Sequence, residues 1–215
     1  MRTRLRETLL YSALRLARWC DRRDPDIAVP GDPAVRRILA ISCTAIGDTL
    51  LSTPGIRSLR LAYPEARISL LVNAVYLELF STNPDVDELI PYFGGYRRFL
   101  RLALALRQRH FDVAVIFHGN EPQATPLAYL SGARWRFKLP NDSRFRFLLT
   151  NRERISNWDG LGHGIDQRLA VAALAGGAPT DRRMTLPLPP DGGAEVDGLM
   201  ASAGMQGFGA YVGLQ

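Results

Sequence analysis

Cysteine is scarce in this 215-residue chain: Cys20 and Cys43 are the whole complement, with neither a C-x-x-C spacing nor a ladder to pair them. That excludes a small disulfide-stapled module, offers no zinc site, and fits a reducing cytosol. Long apolar runs are also missing, so no segment reaches the roughly 20 residues of a membrane-spanning helix. The amino-terminal stretch begins with arginines but has no continuous apolar centre and no small-residue cleavage pattern, and does not read as a secretory signal. Glycine is absent where a dinucleotide site would need it. The first strand-to-helix turn holds Gly47 alone instead of G-x-G-x-x-G, and the second strand ends at Asn73 where a ribose-binding acid is expected. No RNP, zinc-finger or helix-turn-helix pattern organises the arginines, which are spread over several elements. A nicotinamide-dependent oxidoreductase and a nucleic-acid binder are therefore distant rivals.

What is there is basic and apolar enough to fold. With 47% hydrophobic and 22% charged residues, the composition is that of a globular domain with appendages. The formal net charge of +6 favours an anionic partner.

Residues 1–23 form a basic amphipathic pattern, with Arg4, Arg15, Arg18 and Arg22 on one side and Leu5, Leu9, Ala13, Leu16 and Cys20 on another. Such a helix suits an anionic membrane surface, and equally suits packing on its own domain or a partner. Residues 24–34, with Pro25, Pro30, Gly31 and Pro33, read as a linker. From residue 35 to about 190, short apolar runs alternate with amphipathic stretches, which is the pattern of a Rossmann-like, doubly wound parallel α/β sheet.

Strands are expected at the apolar run that follows Arg37 and ends at small polar residues, and at Ala66–Val72, Glu88–Tyr92, Phe111–Phe117 and Arg134–Leu139. Helices are expected at Asp48–Ala62, Ala74–Phe80, Tyr96–His110, Thr125–Leu130 and Gly164–Gly176. Pro54 falls inside the first of these helices, so either the helix kinks there or Thr53 caps a new start after a separate turn. A basic region at Arg144–Arg154 has a helical turn, and Met184–Leu188 reads as extended. Residues 191–215 read as a linker helix, Ala194–Met200, followed by a strand from Gly209 that opens a further domain.

In such a sheet every strand-to-helix loop emerges at one edge, where ligands sit. Asp48, after the first strand, and His118, Asn120 and Gln123, after the fourth, share that edge. Asp48 has a plainer alternative as the N-cap of its helix, worth about 1 kcal/mol. Asp85-Val86-Asp87 is a D-x-D tripeptide of the kind that can hold a divalent ion with a nucleotide sugar. It precedes a strand at the opposite edge and reads as turn chemistry.

Several segments together resemble glycosyltransferase family 9, the lipopolysaccharide heptosyltransferases. They are Ile38–Ile41 followed by Ala45-Ile46-Gly47-Asp48-Thr49-Leu50-Leu51-Ser52-Thr53-Pro54, then Leu59–Pro64, Ala66–Val72, Asn83–Ile90, Phe111–Ile116, His163–Asp166 and Tyr211–Gln215. The likeness runs from about Val35 onward and leaves out the basic leader.

The resemblance implies the N-terminal, acceptor-binding half of a two-domain GT-B enzyme, with residues 191–215 leading into a C-terminal donor domain. It implies inverting transfer of heptose from ADP-heptose to the inner-core oligosaccharide on lipid A, without a metal, at the cytoplasmic face of the inner membrane. Asp48 maps onto that family's catalytic aspartate. Acceptor contacts are expected from Thr44, Ala45, Ile46 and Gly47 at the helix start, from Arg97, Arg98 and Arg101, from His118, Asn120 and Gln123, and from His163 and Arg168. For the arginines a solvated helix face is the plain alternative; for His163 and His118 it is local capping or packing. The alternative for the whole chain is a half-enzyme that binds acceptor but does not turn over alone, or more remotely a nucleotide-binding Rossmann module.

Overall fold

The computed structural model describes residues 2–21, 34–118, 122–140, 142–151, 160, 162–187 and 192–205. Five strands, β1 (Arg37–Ser42), β2 (Arg67–Asn73), β3 (Glu88–Tyr92), β4 (Val113–Ile116) and β5 (Trp135–Lys138), form one parallel sheet in the order β3-β2-β1-β4-β5. Both faces are covered, so the central strands are apolar throughout rather than alternating: in β1, Ile38 to Ile41 are all fully buried. Side-chain alternation then sorts the core into two layers. Ile38, Ala40, Val113, Val115 and Phe117 point toward helices α2 (Ile46–Ala62) and α6 (Gly164–Leu174). Leu39, Ile41, Ala114 and Ile116 point toward α4 (Phe99–Arg107) and α5 (Ala124–Leu130), and a one-turn helix, α3 (Leu77–Phe80), follows β2.

Helix α2 continues through Pro54 without a break. A proline there removes the N–H that would bond the Leu50 carbonyl. The Thr53 hydroxyl donates to that carbonyl instead, at 2.8 Å, and so takes the missing bond. Of the two readings of Pro54, a separate first turn with Thr53 capping the rest is not what forms, since the helix is continuous.

The layer beneath α2 is tightly fitted. A Cβ on Gly55 would lie 2.6 Å from the Phe117 ring and 3.0 Å from the Arg168 carbonyl oxygen, so only glycine lets α2 and α6 approach this closely. The chain leaving α6 stays on α2: Ala178 N–H donates to the Ser58 carbonyl (2.9 Å), and the Ser58 hydroxyl donates back to the Ala178 carbonyl (2.6 Å). Residues 184–187 continue along α2, with Thr185 N–H on the Thr53 hydroxyl at 2.9 Å, but form no strand.

The opposite layer begins differently from the sequence expectation. α4 starts at Phe99, not Tyr96, because Gly94 and Gly95 both adopt positive φ (69° and 66°) and hold the preceding chain in a turn. His110, at φ 53°, stops the chain from continuing past the end of α4. The amino-terminal helix α1 (Arg2–Trp19) lies beyond β5, where Leu14 is buried against Tyr129, Phe145 and Leu148. Its Arg18 donates to the Phe147 carbonyl. Packing on its own domain is thus real for one side of α1; Leu9, Leu16 and Trp19 remain exposed on another, Trp19 by 84%. No described helix is long and apolar enough to cross a membrane.

Both outer strands are finished at their edges. Along β5, Thr150 and Asn151 act as a surrogate neighbour: Arg136 N–H donates to the Thr150 hydroxyl (2.9 Å), and the Asn151 amide donates to the Lys138 carbonyl (3.1 Å). At the other side β3 contains Pro91, which has no N–H to offer. A last helix, α7 (Gly192–Ser202), is largely exposed. Most of the expected linker, residues 24–33, and the expected strand from Gly209 lie outside the described residues.

Candidate functional site

The strand order reverses direction between β1 and β4, and the crevice outside such a switch point is where open parallel sheets place ligands. Asp48 leaves β1 there, and His118 leaves β4.

How the β1–α2 turn is held follows from small hydroxyl residues. Ser42, at the end of β1, donates to the Thr49 hydroxyl and shares a hydrogen bond with Ser52, each at 3.3 Å. The Ser52 hydroxyl donates to the Asp48 carbonyl at 2.8 Å, and the Thr49 hydroxyl to the Ala45 carbonyl at 3.1 Å. These buried bonds pin the first turn of α2 to the strand. α2 starts at Ile46, with Ala45 as its N-cap and no side chain bonded to the cap. Asp48 is therefore not an N-cap. It sits within the first turn, where the helix dipole favours its negative charge. The first backbone bond of the helix runs from Thr49 N–H to the Ala45 carbonyl, which leaves the amides of Ile46, Gly47 and Asp48 at the exposed end. A Cβ at Gly47 would meet nothing within 4 Å, so the space beside this turn is open.

The side chain of Asp48 is 44% exposed, and Oδ1 accepts from Arg168 Nη2 at 2.9 Å. Oδ2 has a longer contact of 3.5 Å from the Thr44 hydroxyl. Arg168 is itself buried, and its Nη1 also donates to the Gly164 carbonyl (3.2 Å) and Gln167 Oε1 (3.1 Å). Burial draws its pKa down, while the neighbouring Asp48 carboxylate opposes the shift. The outcome is a fixed guanidinium facing a partly exposed carboxylate whose Oδ1 is committed to it.

Two further basic side chains, His118 and Lys138, are buried within electrostatic reach of Arg168. His118 is buried, and neither ring nitrogen has a hydrogen-bond partner among the described residues. Burial first, and then the charges of Lys138 and Arg168, push its pKa down to about 3, so it is neutral at ordinary pH. Lys138, at the end of β5, is also buried, and desolvation lowers its pKa to about 8. Lys138 was not among the sequence candidates. In an exposed edge strand a lysine reads as outward-facing; here helix α5 and the turn at Arg146–Leu148 cover that face. Covering helices on both faces of a parallel sheet were the available signal.

The other candidates divide. Gln123 is buried and accepts the Tyr92 hydroxyl at 2.9 Å through Oε1, joining the ends of β3 and β4. His163 is exposed and caps α6, its Nδ1 accepting the Ile165 amide at 3.2 Å, which is the plain role considered for it. Arg97, Arg98 and Arg101 stand at the start of α4; Arg98 lies over the Phe93 ring at 4.3 Å, and no contact joins the three to Asp48 among the described residues. Asn120 lies outside the described residues. Asp85 and Asp87 are engaged at the far edge: Asp85 with Arg57 at 3.6 Å, and Asp87 with Arg60 and the Ile68 amide. Among the described residues no three His, Cys, Asp or Glu side chains converge as a metal site would require.

No family model and no curated protein sequence matches the chain. Solved structures do. A glycosyl transferase of family 9 from Veillonella parvula superposes with a TM-score of 0.64 at 22% identity, over 79% of this chain and 49% of its own. The E. coli ADP-heptose lps heptosyltransferase II gives 0.58 at 23% identity, over 79% and 51%. The E. coli heptosyltransferase WaaC with ADP gives 0.55 at 15%, over 68% and 49%. The chain spans about half the length of these structures. Its fold is the Rossmann-like parallel α/β fold that makes up that half of the family 9 glycosyltransferases.

Proposed function

We propose that this chain is the acceptor-side domain of an inverting glycosyltransferase, with Asp48 as the general base. The observation that carries this reading is the Asp48–Arg168 pair at the switch point of the sheet, with the Asp48 side chain partly exposed. The buried guanidinium at 2.9 Å fixes the orientation of the carboxylate before an acceptor arrives.

In the step proposed, Asp48 Oδ2 takes the proton of an acceptor hydroxyl as that oxygen bonds to the anomeric carbon of the donor sugar. The bond from that carbon to the nucleotide diphosphate breaks, and the diphosphate leaves from the opposite face. Likeness to heptosyltransferases supports ADP-heptose as donor and a phosphorylated inner-core oligosaccharide on lipid A as acceptor. The free amides at the start of α2 and the buried Lys138 and Arg168 supply positive potential for the anionic groups of such an acceptor. The proposed reaction uses no metal. Donor binding is assigned to a second domain, so residues 1–215 alone are expected to bind acceptor without turnover. Exposed Leu9, Leu16 and Trp19 suit peripheral contact of α1 with an anionic membrane.

The test is Asp48→Asn in the full-length protein, assayed with ADP-heptose and lipid A core acceptor. The expected loss in turnover is roughly 10²- to 10⁴-fold, the usual share of a general base, with little change in acceptor affinity. Turnover within about threefold of wild type would end the assignment.

A further inference from the structure

The amino-terminal edge of the sheet, opposite the one from which Asp48 and His118 emerge, gathers charge that the fold does not consume. Arg37 opens β1 and Arg67 opens β2, and the two are register partners in adjacent parallel strands. Register partners stand about 4.8 Å apart and point to the same face, so two like charges sit side by side, an arrangement that costs stability. Ser69 and Glu88 form the next register pair on that face, and Arg109 reaches Glu88 from the chain after α4.

Three guanidinium groups there share one carboxylate. Glu88 Oε1 accepts from Arg109 Nε and Nη2 at 3.0 and 2.7 Å, and Oε2 accepts from the Ser69 hydroxyl at 3.0 Å. Burial raises the pKa of Glu88, but those hydrogen bonds and the charges of Arg109 and Arg67 hold it below the usual carboxylate value, so Glu88 is an ionised strut. Arg109 also gives Nη1 to the Ala105 carbonyl, and Arg37 gives Nη1 to the Arg109 carbonyl, each at 2.8 Å. Those two bonds are ordinary caps on the end of α4. The neighbouring acid, Asp112, has one oxygen engaged by the backbone amides of Arg36 and Arg37. Capping does not explain Arg67, which approaches Glu88 at 3.7 Å, is 60% exposed, and donates no hydrogen bond through its guanidinium among the described residues.

These groups line a cavity of about 330 Å³, with Gln108 and Phe111 completing its wall. That size is at the lower end of small-molecule clefts and exceeds what a bare anion fills. The surplus of guanidinium over carboxylate matches a phosphate monoester, which carries close to two negative charges at neutral pH and presents three oxygens to planar donor forks. A monocarboxylate would leave a guanidinium unanswered, and inorganic phosphate would leave most of the cavity to water.

We propose that this cavity binds a small phosphate monoester, its phosphate held by Arg37 and Arg67 with Arg109, fixed by Glu88, as the third cation, and its organic part toward Gln108. The site lies at the edge of the sheet away from Asp48 and takes none of the residues assigned to acceptor contact, so it stands whether or not the chain acts in glycosyl transfer.

The experiment is calorimetric titration of the full chain with glycerol 3-phosphate at neutral pH and low salt, with inorganic phosphate and glycerol as controls. One saturable site is expected, roughly fivefold or more tighter than for inorganic phosphate, with no binding of glycerol. Arg67→Gln and Arg37→Gln should each weaken it by roughly tenfold or more. Arg67→Gln should do so at an unchanged urea midpoint, because Arg67 holds nothing in the fold. Lys138→Met, which removes a cation at the opposite edge, should leave the affinity as it is. Equal affinity for inorganic phosphate would reduce the site to an anion patch, and loss of binding in Lys138→Met but not in Arg67→Gln would put the anion at the Asp48 edge. Either result overturns the proposal, as does a lack of saturable binding or binding unaffected by both arginine variants.

Discussion

The two helical layers of this sheet are built on opposite plans. On the α2–α6 side the backbones nearly touch at Gly55, hydroxyls are buried in pairs, and the buried guanidinium of Arg168 faces a carboxylate. On the α4–α5 side a cavity stays open, leucines face solvent, and α4 carries arginine without acid. The first plan fixes one carboxylate in place; the second leaves cations and apolar surface available. Rigidity at the switch point and availability beside it are separate properties of one domain, and each can be disturbed without the other.

The largest disturbance should come from closing the α2–α6 gap. Gly55→Val puts atoms where the Phe117 ring and the Arg168 carbonyl lie, so a loss of about 3 kcal/mol is expected from overpacking. Urea unfolding measures it, and an unchanged midpoint would mean that α6 docks more loosely than described.

Next are the buried bases at the edge between the layers. Lys138 has its pKa lowered to about 8 in the fold against 10.5 for a free lysine, so below pH 8 the folded chain holds a charge that burial disfavours. The unfolded chain binds more protons between pH 8 and 10.5, and stability from this group rises with pH through that window. Lys138→Met should therefore stabilise the chain at pH 7 by about 2 kcal/mol and remove the rise. A destabilised Lys138→Met variant would show that the amine is better compensated than its burial suggests.

His118 acts in the acid range by the same sign. With a folded pKa of about 3 against 6.5, the unfolded state takes the proton first as pH falls, and stability drops from pH 6.5 downward until about pH 3. Roughly 2 kcal/mol of stability lost between pH 7 and pH 5 is expected to disappear in His118→Phe. Parallel pH curves for the two proteins would remove His118 from the account.

The smallest effect is at the other end of α2. Gly47→Ala adds a methyl to open space inside a helix, and should stabilise by about 0.5–1 kcal/mol. If an acceptor does approach this turn, the same change should weaken its binding. The contrast with Gly55, eight residues along the same helix, separates a glycine needed for packing from one needed for access.

Strands were the most legible part of the sequence, because a strand covered on both faces must be apolar along its whole length. The sequence pattern places Glu88–Tyr92 to the residue, and the apolar run after Arg37 falls within β1. Helix starts were less legible. α2 begins at Ile46 with an alanine in the cap position, so the usual side-chain signal is missing and the acidic Asp48 drew the boundary two residues late. The place of Asp48 at the strand-to-helix edge is readable from the buried strand before it, whereas its proposed role comes from the family resemblance alone. Its partner was named as a site residue but not as a partner: Arg168 lies 120 residues away, and only the α2–α6 approach brings the two together. Lys138 was illegible because its exposure depends on α5 and the turn at Arg146–Leu148, a property of tertiary cover rather than of local pattern.

Thr150 and Asn151 beside β5, and Pro91 within β3, have a consequence for how copies of the chain behave in company. An open strand edge is a template onto which another chain can add. Here one side is already answered by two polar side chains and the other interrupted by an imino acid. The sheet is thereby finished in the direction in which sheets grow, so crowding should drive copies together through their exposed helices rather than through β-pairing.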